Sequence, residues 1–216
     1  MINHLIRSAL LSKNKNPRYA YISPTFKQSK SIAWDYMKQF TAKIPYTKFN
    51  ETELRVDLPN GARITLLGSE NSDGLRGIYL DGCVIDEYAN VNEKLFPEII
   101  RPALSDRKGY CVFIGTPQGM NNNFYELYQH SQGADDWFNY KAKASETKIV
   151  DPEELVKAKE VMGEKKYQQE FECDWIANIE GAIYNDAIVK MEDNKQLTRV
   201  PYDPSLPVST AWDLGV

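Results

Sequence analysis

Two adjacent carboxylates follow a short apolar run near the middle of the sequence. The run is Gly82–Ile85, and Asp86 and Glu87 come directly after it. A continuous apolar run is typical of a strand buried on both faces, and such a strand holds the residues at its end rigidly. A carboxylate held in this way can bind the Mg²⁺ of a phosphate compound, and its neighbour can deprotonate an attacking water. The motif alone fits equally well an apolar strand followed by solvated acids.

A second apolar run of the same buried type, Tyr110–Ile114, ends in Gly115 and Thr116. Parallel strands bring their carboxyl ends to one edge of a sheet, so we expect Thr116 to lie near Asp86 and Glu87. The acidic pair matches the second nucleotide motif of P-loop NTPases. In motor ATPases a Ser, Thr or Asn at the end of the next strand, the position of Thr116, senses the γ-phosphate. An ordinary strand-to-turn transition is the alternative interpretation of this turn.

Arg76 lies between two glycines, Gly74 and Gly77, just before the acidic strand. Glycine gives the backbone freedom, so the guanidinium could reach a phosphate group in its own or a neighbouring subunit. An arginine supplied in this way stabilises the charge of a phosphoryl group in transfer. A surface loop that carries an arginine is the alternative interpretation.

The surrounding pattern predicts the elements that would position these residues. Apolar spacing and turn residues predict a strand at Arg18–Ser23, a helix over Lys27–Phe40, a β-hairpin around Pro59-Asn60-Gly61 and a helix over Asn92–Ile100 that ends before Pro102. Further along they predict a helix over Asn122–Gln132, a strand over Phe138–Ala142 and a helix that starts after the cap Asp151 and stops at Gly163. Strand, helix and strand in succession indicate a parallel α/β sheet.

The composition is that of a globular protein. Of 216 residues, 42% are hydrophobic and 26% are charged, which excludes disorder and fibrous folds. The net charge of −4 argues against a protein that coats nucleic acid, although a local basic face is compatible with it. Cys83, Cys111 and Cys173 have no zinc spacing and are expected to be reduced thiols. No apolar stretch is long enough for a membrane helix, and the first residues are expected to form an amphipathic helix.

Seven motifs follow one another along the chain from Pro24 to Val216. They are SPTFKQSKSIAWDYMK, DGLRG, CVIDEYA, IRPALSDR, FIGTPQG, QEFECDW and TAWDLGV. In this order they resemble the large terminase subunits of tailed bacteriophages, which are DNA-packaging motors with an ATPase and a nuclease domain. The resemblance implies an α/β fold: a P-loop NTPase sheet of the RecA-like (ASCE) type with flanking helices, followed by the first strand of a ribonuclease-H-like nuclease domain.

The resemblance also assigns roles in the ATPase site. Asp86 would coordinate Mg²⁺ together with ATP, and Glu87 would be the catalytic glutamate. Thr116 would belong to the motif that couples hydrolysis to movement, and Gly115 would be one of the nucleotide-binding residues. Arg76 resembles an arginine that acts on the site of a neighbouring subunit.

The nuclease and the partners are implied in the same way. Asp213, at the end of VSTAWD, resembles the first metal ligand of the nuclease, which would use Mg²⁺ or Mn²⁺. The implied partners are double-stranded viral DNA, the portal protein, the small terminase subunit and further copies of the chain in a ring, with no membrane. The implied location is the cytoplasm of a bacterial host, for a protein encoded by a phage or prophage.

The sequence departs from the family in two respects: it contains no phosphate-binding loop, and the nuclease ligands expected after Asp213 would lie beyond Val216. A phosphate-binding loop ends in Gly-Lys-Ser or Gly-Lys-Thr, and none of the twelve glycines is followed by lysine. We therefore expect a chain truncated at both ends: a partial ATPase domain over residues 1–177 without the phosphate-loop strand, a linker over residues 178–207 and the start of the nuclease over residues 208–216. Alone, this chain is expected to be inactive as an ATPase and as an endonuclease.

The leading hypothesis is a portion of a terminase large subunit. In the full-length protein it would couple ATP hydrolysis to translocation of viral DNA into the procapsid and cut concatemeric DNA. One alternative is a DNA-binding or assembly module that has lost catalysis, or a vestigial fragment. A second is a helicase-like ATPase, which the segment VSTAWDLGV disfavours because a helicase has no need of a ribonuclease-H strand.

Overall fold

A mixed sheet forms the centre of the protein. Its strands are β1 (Arg18–Ser23), β2 (Lys48–Asn50), β3 (Arg55–Asp57), β4 (Arg63–Gly68), β5 (Gly82–Ile85) and β6 (Tyr110–Phe113), in the spatial order β2-β3-β4-β1-β5-β6. The strands β4, β1, β5 and β6 run parallel, whereas β3 is antiparallel to β4 and β2 is antiparallel to β3. The predicted parallel α/β sheet is confirmed, and so is the hairpin around Pro59-Asn60-Gly61, which joins β3 to β4.

Helices lie on both faces of this sheet. The computed structural model describes residues 1–175 and, beyond them, residues 187, 188, 190, 191, 194–196, 198, 204, 205, 207 and 209. The α-helices in the first of these ranges are α1 (Ile2–Leu11), α2 (Phe26–Ser29), α3 (Asp35–Thr41), α4 (Arg101–Ser105), α5 (Asn123–Ser131), α6 (Ala144–Thr147), α7 (Pro152–Met162) and α8 (Glu164–Glu172). A π-helical turn, Lys30–Trp34, joins α2 to α3, and a second one, Leu95–Ile100, leads into α4.

Two hydrophobic clusters lie on opposite faces of the sheet. Alternate side chains of a strand point to opposite faces, so Val84 and Ile85 of β5 belong to different clusters. Val84 shares its cluster with Leu5 of α1 and other residues of that face. Ile85 lies in the cluster that contains Leu95, at the start of the second π-helical turn. The carboxyl end of β5 is therefore supported from both sides.

The neighbouring strands β5 and β6 differ in burial. Every residue of β5 is buried, as predicted, whereas every residue of β6 is partly exposed. The reason is position, because β6 is an edge strand of the sheet within the described part of the chain. The prediction of burial on both faces is therefore wrong for β6. Cys83 and Cys111 oppose each other across this pair, with their Sγ atoms 3.4 Å apart.

Two predictions of local structure are wrong. The helix predicted over Asn92–Ile100 does not end before Pro102, because the π-helical turn continues into α4 and places Pro102 in the first turn of that helix. The π-helical turn replaces the regular i→i−4 bonds just before this position, as the bond from the N–H of Arg101 to the carbonyl of Phe96 shows, so the N–H that proline lacks falls where that pattern is already interrupted. The segment Phe138–Ala142 forms no strand, and its residues Phe138 and Tyr140 are exposed to solvent.

Other helix predictions are confirmed. α7 begins after Asp151, whose Oδ1 accepts the N–H of Glu153 at 2.8 Å, and it ends at Gly163. α5 forms within the range predicted for it. The predicted helix over Lys27–Phe40 is present, with the first π-helical turn in its middle.

By its backbone contacts the chain divides into two compact units, Met1–Asn178 and Ile179–Val216. The sheet and the helices named above belong to the first unit. Asp213 lies outside the described residues, and so does most of the predicted linker and nuclease strand. No helix in the described ranges is both long and apolar enough to cross a lipid bilayer.

Candidate active site

The turn after β5 is tied to the strands on both sides of it. The N–H of Asp86 donates to the carbonyl of Ile22 in β1 at 2.7 Å. The N–H of Tyr88 donates to the carbonyl of Ile114, which follows β6, at 3.1 Å. These bonds fix the backbone that carries both carboxylates to the strands on both sides of it.

Glu87 has a left-handed backbone conformation, with φ 50° and ψ 47°. For a residue with a side chain this conformation costs about 1–2 kcal/mol, and it persists only where the surroundings impose it. Gly115 lies against the same turn: a Cβ atom built on it would be 3.2 Å from the N atom of Tyr88 and 3.3 Å from the Cα atom of Glu87. Any larger residue at position 115 would therefore push against the backbone of the acidic turn.

The electrostatic surroundings of Glu87 favour its protonated form. Burial raises the pKa of its carboxyl above the ordinary value, and the negative charges of Asp86 and of Glu170 in α8 raise it further. A carboxylate with a raised pKa is a stronger base than an exposed one. The site therefore combines a strained backbone with a basic carboxylate in one residue.

The carboxylate of Asp86 is held by two donors. Its Oδ1 atom accepts the N–H of Glu87 at 3.1 Å, and its Oδ2 atom accepts the hydroxyl of Tyr21 from β1. Burial raises the pKa of Tyr21, and the neighbouring carboxylates raise it further, so the phenol stays a donor at neutral pH. Each carboxylate oxygen has two lone pairs, so both can accept a further contact.

Asp86 could be one ligand of a divalent cation. Mg²⁺ usually takes one or two carboxylates and fills the rest of its shell with phosphate oxygens and water. A single half-buried carboxylate at a strand end fits that role. Within the described residues, no group of three or more His, Cys, Asp or Glu side chains is placed to hold a metal ion by itself.

The turn after β6 is covered by α8. The Nε2 atom of Gln169, which is buried, donates to the carbonyl of Pro117 at 2.6 Å. Thr116, one residue earlier, is half-buried beside this contact. Since Glu170 also acts on Glu87 through its charge, α8 influences both strand ends.

The predicted site residues within the described part of the chain fall into two places. The structure brings Asp86, Glu87 and Gly115 together, with Thr116 next in the chain. Arg76 is exposed on the loop before β5, and its Nη2 atom pairs with Glu98 Oε2 at 3.3 Å.

Three residues near the site were not predicted from the sequence. Tyr21 contacts Asp86 from β1, while Gln169 and Glu170 reach the site from α8. Tyr21 lies on the same face as Asp86 once β1 is paired with β5 in register, but the sequence alone does not give that register. No local signal in the sequence indicates where α8 packs.

The comparisons with known proteins agree on one family. The family "Terminase large subunit, T4likevirus-type, N-terminal" matches residues 6–191. The large terminase subunit of Thermus phage G20c is 40% identical over 60 residues, which are 28% of this chain and 12% of that protein. The match therefore spans only a small part of the length of that relative.

Solved structures share the fold. The ATPase domain of the large terminase of Thermus phage P74-26 has a TM-score of 0.61 at 19% identity, over 78% of this chain and 80% of that one. A large terminase from a thermophilic bacteriophage has a TM-score of 0.67 at 13% identity, over 81% of this chain and 44% of that one. This second protein has also been solved with ADP and with ATP-gamma-S.

The mixed α/β sheet with flanking helices is thus the fold of large terminase ATPase domains. The family match spans most of the chain and includes both strand ends that form the site. The chain therefore belongs to the T4likevirus-type family of terminase large subunits, and it corresponds to the N-terminal part of those subunits.

Proposed function

We propose that this unit is the ATP-hydrolysing part of a phage DNA-packaging motor, in which hydrolysis drives the translocation of viral DNA. The acidic pair at the end of β5 carries the proposal. Asp86 is anchored to β1, and Glu87 combines a left-handed backbone with a raised pKa. Strain and a perturbed pKa in one residue are typical of catalytic positions. Membership of the terminase family supports the same chemistry.

Each side chain of the site would have its own role in ATP hydrolysis. Asp86 would hold the Mg²⁺ bound with ATP, and that ion would neutralise charge on the phosphate groups. Glu87 would accept the proton of the attacking water, since its raised pKa brings it nearer to neutral pH. Gly115 allows the turn after β6 to approach Glu87, which would let Thr116 respond to the γ-phosphate. The phosphate cradle would come from a Gly-Lys-Ser/Thr loop, a motif that the 216 residues do not contain.

The other expected parts of the motor belong to the same proposal. Arg76 is exposed, as an arginine that acts on a neighbouring subunit in a ring must be, and it would leave Glu98 to do so. Asp213 would bind the nuclease metal in the cutting of concatemeric DNA. The portal protein and the small terminase subunit would be the protein partners. Family membership supports the roles of Arg76 and of the protein partners, whereas the role of Asp213, which lies outside the matched residues 6–191, rests on the resemblance of VSTAWD alone.

ATP hydrolysis tests the proposal directly. The 216-residue chain alone should show negligible turnover, while the same chain with an N-terminal segment that supplies a Gly-Lys-Thr loop should hydrolyse ATP. Glu87→Gln should lower that turnover by a factor of about 10²–10⁴, the usual contribution of a general base. The matched control is Glu93→Gln, an exposed carboxylate shortly after the same strand.

Each outcome distinguishes a different part of the proposal. Turnover that survives Glu87→Gln would remove Glu87 from the mechanism. Turnover by the unextended chain that disappears in Glu87→Ala would show that no added loop is needed. An extended chain without turnover would favour the alternative, a DNA-binding or assembly module that has lost catalysis.

A basic stretch of the sequence supports contact with DNA. The stretch from residue 26 to residue 49 carries one acid, Asp35, and the lysines Lys27, Lys30, Lys38, Lys43 and Lys48, in a chain with a net charge of −4. The same stretch exposes aromatic rings: Tyr46 is 88% exposed and Tyr36 is 54% exposed, with its ring stacked on that of Phe40. Lysines beside exposed aromatic rings are typical of surfaces that bind a nucleic-acid backbone. The stretch 26–49 is therefore the proposed DNA-binding face.

Salt dependence tests this face. The double substitution Lys30→Ala and Lys43→Ala should weaken binding of duplex DNA. It should also make the plot of log K against log salt shallower by roughly 0.9 for each phosphate that the protein no longer neutralises. Lys157→Ala on α7, another exposed lysine, is the control. An unchanged salt slope in the double variant would place the DNA elsewhere.

A further inference from the structure

Tyr21 joins β1 to the acidic end of β5. Its side chain is only 3% exposed, and its hydroxyl donates to Oδ2 of Asp86. The register explains the contact, since Tyr21 pairs with Val84 and Asp86 lies two residues further along on the same face. The phenol thus reaches diagonally across two parallel strands to a carboxylate that belongs to the proposed metal site.

The two donors to Asp86 come from different parts of the chain. The N–H of Glu87 holds Oδ1 and is local, because it belongs to the next residue. The hydroxyl of Tyr21 holds Oδ2 and is distant in sequence, so it makes the carboxylate plane depend on the alignment of β1 with β5. A carboxylate with one donor can rotate about its last torsion, whereas two donors on opposite oxygens fix its plane.

We propose that Tyr21 is a positioning residue for Asp86, and that its hydroxyl holds the carboxylate in the orientation in which it binds a divalent cation. The inference rests on the proposed function in one point, that Asp86 is a cation ligand. Donors that orient a ligating carboxylate typically change metal affinity by a factor of about 10–100 when they are removed. Tyr21 does not touch the reacting atoms, so its effect must appear in cation binding before it appears in turnover.

Tyr19 provides a matched control in the same strand. It lies two residues before Tyr21 on the same face, is 5% exposed, and donates its hydroxyl to the carbonyl of Ser8 at 3.1 Å. Tyr19→Phe and Tyr21→Phe therefore each remove one buried hydroxyl and one hydrogen bond from neighbouring positions. Only Tyr21→Phe removes a donor from Asp86.

The test uses Mn²⁺ alone with the full chain. Mn²⁺ broadens the NMR signals of nearby amides even where it binds weakly, so titration with Mn²⁺ yields an affinity at the Asp86–Tyr88 turn although Asp86 is a weak site without ATP. Asp86→Asn should abolish the broadening at this turn. Tyr21→Phe should weaken the affinity about tenfold or more, and Tyr19→Phe should leave it unchanged. Urea unfolding of both phenylalanine variants at similar midpoints would show that the folds are equally intact.

The outcomes separate the inference from the function on which it rests. Equal Mn²⁺ affinity in the parent chain and Tyr21→Phe, with binding abolished in Asp86→Asn, would overturn the role of Tyr21 and leave the metal site in place. Equal weakening by Tyr21→Phe and Tyr19→Phe would show a general effect of removing a hydroxyl and would also overturn it. No Mn²⁺ effect at the turn in the parent chain would overturn the metal site itself and, with it, the role of Tyr21.

Discussion

β5 and β6 are neighbours of the same length and of similar sequence, yet their surroundings differ. Cys83 pairs with Cys111 and Val84 pairs with Val112 along the two strands. β5 lies between β1 and β6 and is fully buried, whereas β6 is paired only with β5 within the described residues and is half-exposed. The two strands share Cys and Val at paired positions and are similarly apolar at the next pair, Ile85 and Phe113, so position in the sheet makes the difference in burial.

The difference shows which strand end can sustain strain. The left-handed backbone of Glu87 costs about 1–2 kcal/mol, and partial burial of its carboxyl adds to that cost. Core packing and hydrogen bonds on both sides of β5 offset these costs. The end of β6 carries Gly115 and Thr116 instead, which bring neither a left-handed side-chain residue nor a buried charge.

Amide hydrogen exchange should show the largest contrast between the strands. In a parallel strand alternate N–H groups point to opposite sides, and the N–H of Ile114 already bonds to β5. The N–H groups of Cys111 and Phe113 point to the open side of β6. They should exchange faster than the amides of β5 by a factor on the order of 10³–10⁴, because the β5 amides exchange only when the protein unfolds, at a free energy of about 5 kcal/mol. Equal protection in both strands, read by NMR, would mean that another segment pairs with β6.

Truncation of the paired valines to alanine should give the second-largest difference between the strands, in the free energy of unfolding. Val84→Ala should lower the free energy of unfolding by about 2 kcal/mol, because Val84 is fully buried and a cavity would remain. Val112→Ala should cost about 1 kcal/mol or less, since solvent already reaches this residue. Urea unfolding of both variants checks the difference, and equal losses would contradict the assignment of β6 as an edge strand.

The pH dependence of stability should give the smallest contrast. The pKa of Glu87 is raised in the folded state, so the folded protein binds this proton more tightly than the unfolded chain. The resulting stability is complete below the unfolded-state pKa of about 4.3 and is lost as the pH rises through the folded-state pKa. Glu87→Gln removes this loss, so the variant should gain stability relative to the parent chain between acidic and neutral pH.

Thr116→Ala is the control for that experiment, because it changes the end of β6 without changing a titratable group. Its stability difference from the parent chain should be constant over the same pH range in urea unfolding. If Glu87→Gln also gave a constant difference, the carboxyl of Glu87 would have an ordinary pKa in the folded protein.

Local signals in the sequence were sufficient for several elements. The cap at Asp151 and the stop at Gly163 define α7 because each acts on adjacent backbone groups. The acidic pair and the Gly115–Thr116 turn were found because strand ends are marked by an abrupt change from apolar to polar residues. Parallel pairing then brings the two strand ends to one edge, as the structure shows.

Features that depend on distant partners were not predictable in this way. The partial exposure of β6 depends on what pairs with it, and the apolar run of Tyr110–Phe113 is the same whether a partner is present or not. The helix through Pro102 depends on a π-helical turn that no residue type specifies. The contact of Tyr21 with Asp86 requires the register of β1 against β5, which a single sequence does not display.

The distance between the sulfur atoms of Cys83 and Cys111 depends on the alignment of β5 with β6. Their 3.4 Å separation holds only while the two strands keep their register, because a slip by one residue would turn Cys111 to the opposite face of the sheet. The same slip would carry Gly115 away from Glu87, since both residues continue these strands. The proximity of the two thiols thus reports whether the turn after β5 and the turn after β6, which together form the site, are aligned.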